Sequence, residues 1–232
     1  MTKSHSLTII WLLVITVLIN AQLQPDGNIF SVLSNQPQTS RSLNSDYLER
    51  RGAWPYGSSI AIAVDSLRDL IFLGSGGAVI VLDGADKNNP TLITDDIRTH
   101  GLVHDIFYDD QLQRLYLACV EGGFEIWNVE NPAQPENMSR MEILYFGVET
   151  PVGHVQVKDN YAVLECDFGG VHTVDISDPY NPVQVTFNGE MGNPAHNIHL
   201  GTDGRIHATG AQFYVRLNIN PDGTISNTGE KE

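Results

Sequence analysis

The chain has 232 residues, 41% of them hydrophobic and 8% aromatic, enough for a sizeable core in one domain and too apolar for wholesale disorder. With 28 acidic residues against 13 basic ones the formal charge is −15, which repels phosphate backbones and anionic membrane surfaces and so excludes nucleic acid as a partner. The 21 glycines and 11 prolines, with few apolar stretches of helical period, point to many short strands joined by turns.

Lys3 precedes an apolar run from Leu7 to Ile19, closed by Asn20-Ala21-Gln22. A short positive segment, an apolar core and a small residue at the cut describe a signal peptide over residues 1–21. Cleavage is expected near Ala21, giving a secreted or cell-envelope protein with no membrane span once the signal is removed. Residues 22–46, rich in Asn, Gln, Ser and Pro, read as a flexible lead-in, and the folded domain is expected over 47–232.

Tyr47 to Tyr56 (YLERRGAWPY) suits a single strand entering the fold. Repeats begin at Ser58. In the first, SIAIAV, DLIFLG, GGAVIVLD and TLITD alternate apolar and polar residues as four strands. The second runs HDIFY, RLYLACV, GGFEIWNV, with its fourth strand expected in MEILYF. The third reads HVQVKD, YAVLEC, GGVHTVDI and VQVTF; the fourth has HNIHL, RIHATG and QFYVRLNI, then PDGTIS. Gly77, Gly123 and Gly170 stand 46 and 47 residues apart, the length of a four-stranded antiparallel blade. A sheet with two apolar faces must stack on others. The expected fold is therefore all-β, a propeller of about four blades, closing either as a small ring, with Tyr47–Tyr56 completing the last blade, or as an incomplete one that self-associates through its exposed faces.

GGAVIVLD, GGFEIWNV and GGVHTVDISDPYNP, with the entry phrase WPYGSSIAIAV, resemble the LVIVD-repeat proteins, a group of exported bacterial and archaeal β-propellers. The resemblance spans roughly residues 48–222 and is weakest in the fourth repeat, where QFYVRLNINPDG lacks the glycine pair and the Asp-Pro. It implies architecture and export, and no single activity.

His104, His154 and His196 each stand at the start of a first strand, so three imidazoles are expected near one mouth of the channel. Three neutral imidazoles suit a divalent transition metal, with Asp105, His199 or His100 as a further ligand or orienting group. Alternatively each ring ties its blade to the backbone of the next. Asp83, Asn128 and Asp175 follow the third strands and are expected to cap turns rather than bind calcium. Asn218 to Gly223 only superficially matches a calcium loop, because position twelve is Gly229, and it reads as a turn. Cys119 and Cys166 occupy the same place in successive repeats, so they point the same way rather than at each other, and are expected as free buried thiols. Trp54 and Trp127 suit blade packing. With no G-x-S-x-G elbow, P-loop or H-E-x-x-H, the expected function is a non-enzymatic surface binding a protein or carbohydrate ligand. The alternative is a metal-binding protein or metalloenzyme using His104, His154 and His196.

Overall fold

In the computed structural model, residues 59–188, 195–210 and 213–231 are described, all within one compact unit, residues 50–232. Among them there are 18 strands and no helix. The first sheet comprises β1 (Ser59–Asp65), β2 (Leu70–Ser75), β3 (Ala78–Asp83) and β4 (Thr91–Arg98). The second comprises β5 (Asp105–Asp109), β6 (Arg114–Ala118), β7 (Phe124–Asn128) and β8 (Glu136–Met141). A small hairpin, β9 (Leu144–Tyr145) and β10 (Val148–Glu149), precedes the third sheet of β11 (Val152–Lys158), β12 (Tyr161–Cys166), β13 (Gly170–Asp175) and β14 (Val183–Asn188). The fourth has β15 (Ala195–Leu200), β16 (Ile206–Gly210), β17 (Phe213–Ile219) and β18 (Ile225–Lys231). Each sheet is an antiparallel meander in chain order. Consecutive first strands pack side by side, β1 on β5, β5 on β11 and β11 on β15, which makes the sheets the blades of a propeller.

The alternating pattern explains the stacking. Ile62, Ile106, Val155 and Ile198 hold one register position, opposite Leu73, Leu117, Leu164 and Ala208. In blades two to four this residue packs on the preceding blade: Ile106 with Phe72, Val79 and Val81, Val155 with Tyr116 and Ile126, Ile198 with Val163 and Val171. The residues between, such as Ala61 and Phe107, face the blade that follows. The first blade has no described sheet before it, and Ile60, Ile62 and Val64 are 54%, 62% and 56% exposed. The far face of the fourth blade carries His199, His207, Thr209, Tyr214 and Arg216, a polar cap on that end of the stack.

Two strand assignments change. The fourth strand of the second blade is ENMSRM rather than MEILYF. An outermost strand needs little burial, so ENMSRM shows no apolar alternation, and the more apolar stretch turns back as the β9–β10 hairpin. β18 supplies the last strand of the fourth blade, the place expected for Tyr47–Tyr56. Those residues, Trp54 and the apolar run Leu7 to Ile19 lie outside the described residues. No helix among the described residues is long and apolar enough to cross a membrane.

The turn chemistry is as expected. Asp83, Asn128 and Asp175 accept the N–H of Ala85, Glu130 and Ser177, each at 2.9 Å. The Asn218–Gly223 segment is a turn closed by Gly223 N–H to Asn220 O and Asn220 N–H to Thr224 O. The second glycine pair is required by crowding and conformation together: a Cβ on Gly122 would fall 2.5 Å from Gly101 N, and Gly123 has φ +84°. Cys119 and Cys166 are free and fully buried, each on the face toward the preceding blade, and burial pushes both thiols up, away from reactivity. Trp127 packs in the first junction and donates Nε1–H to the buried carboxylate of Glu125, which also accepts from His100 N–H and binds its ring.

Candidate functional site at the mouth of the inner strands

Because every blade runs in the same order, the first strands begin on one face, where the second strands end and the third begin. His104, His154 and His196 are all carried to this face. The ladders, however, put them out of step. β11 bulges between Val152 and His154, and β15 between Ala195 and Asn197, so the extra residues are Gly153 and His196. His154 opposes Glu165 at the place where Asp105 opposes Ala118 and Asn197 opposes Thr209. His104 therefore corresponds to Gly153 and His196, and His154 corresponds to Asp105.

That offset decides the contacts. His104 Nδ1–H donates to Gly153 O of the next blade at 2.7 Å, which fixes its tautomer. This is the blade-to-blade fastening expected as the structural reading of the repeated histidine. Asp105 reaches across the same junction: its Oδ2 accepts Val155 N–H at 3.0 Å and lies 3.4 Å from His154 Nδ1. The rings of His104 and His154 meet edge to face at 5.1 Å. His196 has an exposed side chain, and only its backbone reaches His154. Among the described residues no three His, Cys, Asp or Glu side chains are placed to share a metal ion. His199 faces the open side of the fourth blade and His100 sits on Glu125.

The hydrogen bond to Asp105 raises the pKa of His154 above 6.5 against the opposing effect of burial. Beside it is Glu165, which sequence reasoning missed because it reads as one polar residue in an alternating strand. Glu165 is 3% exposed, and burial, with Asp167 nearby and in spite of His154, pushes its carboxyl up to about 7. Space for it comes from the bulged residue: a Cβ on Gly153 would stand 2.2 Å from Glu165 Oε2. An imidazole oriented by a carboxylate, next to a carboxyl poised near neutrality, is an arrangement that can take and give protons at pH 7.

The β9–β10 hairpin stands on the same face. Gln184 clamps it, accepting Leu144 N–H at 3.0 Å and donating to Leu144 O at 2.8 Å and to His172 Nδ1 at 3.1 Å. The Nε2–H of His172 donates to Phe168 O at 3.0 Å, and burial lowers the pKa of this fully enclosed, neutral ring. Tyr145 packs edge to face on Phe187 at 5.0 Å, while Phe146 at the hairpin tip is 78% exposed. Behind the hairpin is a cleft of about 170 Å³ lined by Glu121, Glu142, Glu149 and Thr150.

No family model matches the chain, and no curated protein is similar to it in sequence. Solved structures do match. The periplasmic gluconolactonase of Pseudomonas aeruginosa superposes with a TM-score of 0.63 at 11% identity, over 75% of this chain and 54% of that one. A candidate 6-phosphogluconolactonase from Bacteroides uniformis gives 0.63 at 10% identity, over 75% and 54%. A Lactobacillus plantarum protein gives 0.59 at 11%, over 74% and 55%. The chain is a β-propeller protein of the architecture these structures share, and it spans about half the length of the chains it matches. The expectation of a non-enzymatic binding propeller is corrected by this finding. Its premise was the lack of catalytic motifs, and a propeller brings together residues from separate blades, so a site on this scaffold leaves no contiguous motif to find.

Proposed function

We propose that this chain carries the acid–base centre of a lactone hydrolase, with His154 and Glu165 as catalytic residues and Asp105 as the residue that positions His154. The observation that carries the reading is the Asp105–His154 pair set beside a buried carboxyl raised to about 7. The names of two of the matching propellers supply the substrate class. His154 takes a proton from water as its oxygen bonds to the lactone carbonyl carbon. Glu165, protonated by virtue of its burial, gives a proton to the ring oxygen as the ester C–O bond breaks. Proton return from His154 to Glu165 completes the cycle, and the net change is one water added to give a hydroxy acid. The apolar run after Lys3, the likeness to LVIVD-repeat proteins and the periplasmic setting of one neighbour support export.

The test is hydrolysis of glucono-δ-lactone, followed by acid release. His154→Gln is expected to lower kcat by about 100-fold or more while the urea midpoint stays near that of the parent. The wild-type rate should be bell-shaped around pH 7, falling in acid as His154 takes up its proton and in alkali as Glu165 loses its own. A variant with full activity, or a flat profile from pH 5 to 9, would refute the assignment.

A further inference from the structure

On the same face, the charges discriminate between kinds of lactone. Resting on the hydrolase reading above, we infer that the mouth accepts an uncharged sugar lactone and rejects its phosphorylated counterpart. Carboxylates dominate the face: Asp105 and Asp167 stand at strand ends near His154, and Glu121, Glu142 and Glu149 line the neighbouring cleft. Among the described side chains the Lys and Arg carried to this face are Arg98 and Arg140, both on outermost strands. Arg98 Nη2 is 2.6 Å from Asp95, and Arg140 is held by Glu142 at 3.0 Å and by Gly122 O at 2.9 Å. Other described cations lie at the opposite end of the blades, where Lys158 Nζ binds Gly204 O and Arg68 binds Val129 O and Glu130 O, except Arg216, which stands midway along β17 on the far face of the fourth blade.

A phosphate needs unengaged guanidinium or ammonium groups, or the N–H groups of a helix end, and the described part of this face offers neither. The excess of carboxylates would repel it instead. The same charges suit the reaction in the forward sense, because a neutral substrate becomes an anionic hydroxy acid that the face expels. Phe146, Val148 and Phe168, 78%, 66% and 56% exposed, supply apolar surface for the C–H side of a sugar ring.

The experiment compares glucono-δ-lactone with its 6-phosphate as substrates of the full chain. The neutral compound is expected to have a kcat/KM at least about 10-fold higher, and Glu142→Gln with Glu149→Gln should narrow that ratio. An equal or reversed preference overturns the inference while leaving the hydrolase reading intact. If neither lactone is hydrolysed above its spontaneous rate, the hydrolase reading fails. The charge selectivity is then decided by calorimetric binding of the neutral gluconolactam against 6-phosphogluconate. Binding of the lactam alone supports it, and binding of the phosphate compound, or of neither, overturns it.

Discussion

Replacing Asp65 with Asn would remove the charge around which the first blade junction is fastened. Asp65 ends β1, is 3% exposed, and accepts Tyr108 Oη–H at 2.6 Å, Arg68 Nε–H at 2.5 Å and the backbone N–H of Leu67 at 2.9 Å and of Arg68 at 3.1 Å. Arg68 in turn donates to Tyr108 Oη and to Val129 O and Glu130 O of the second blade. Burial by itself would raise the carboxyl, but the bonds from Tyr108 and Arg68 outweigh it and hold the pKa at about 2, against an ordinary 3.8. That difference is worth about 2 kcal/mol at pH values above both, at roughly 1.4 kcal/mol per unit. The folded pKa is the lower one, so this stability is fully present above pH 4 and is lost as pH falls through about 2. Urea unfolding of the parent and Asp65→Asn should therefore differ by about 2–3 kcal/mol at pH 6, with the gap closing by about 2 kcal/mol toward pH 2. Asp178, Asp203 and Asp222 are also held low, but they are common to both proteins and cancel in the difference. A gap that does not change with pH would refute the staple.

The two best-placed histidines should titrate apart by NMR. His172, enclosed and neutral, should have its midpoint below 6.5, so that its contribution to stability is present above that pH and lost as pH falls; His154, on Asp105, should have its midpoint above. Gly153→Ala puts a Cβ 2.2 Å from Glu165 Oε2, and the expected result is a displaced carboxyl, a loss of hydrolysis and about 1–3 kcal/mol of stability by urea unfolding. In Gly101→Ala the clash is with backbone, Cys119 O at 2.0 Å and Gly122 N at 2.5 Å, which cannot turn aside as a side chain can, so about 3 kcal/mol is expected with no specific effect on the site.

Much of the fold could be read from the chain because its signals are local. Phe72 and Asp83 are eleven positions apart, yet the sides they take follow from an alternation of period two and from the turn residues between. The caps at Asp83, Asn128 and Asp175 were equally plain, since an Asx turn uses only the residue and its second neighbour. ENMSRM was not legible as a strand: on an outermost position, pairing with β7 rather than burial makes it one, and pairing leaves no apolar mark.

The site divides in the same way. Sequence alone located His104, His154 and His196 at strand starts on one face and, through the repeat, placed two thiols where they cannot meet. It could not place the bulge. His154 stands directly before Val155 where His104 stands two residues before Ile106, so His154 takes the place of Asp105, and the bulge at Gly153 that lies before it leaves no mark in composition. Glu165 depended on the same event, because a buried carboxyl beside His154 requires the space over Gly153 and burial by a neighbouring blade some 30 residues on. Periodicity and turn chemistry are properties of adjacent residues and belong to the sequence. Proton affinities and the pairing of His154 with Asp105 are properties of groups brought together across blades, and only the stacked structure decides them.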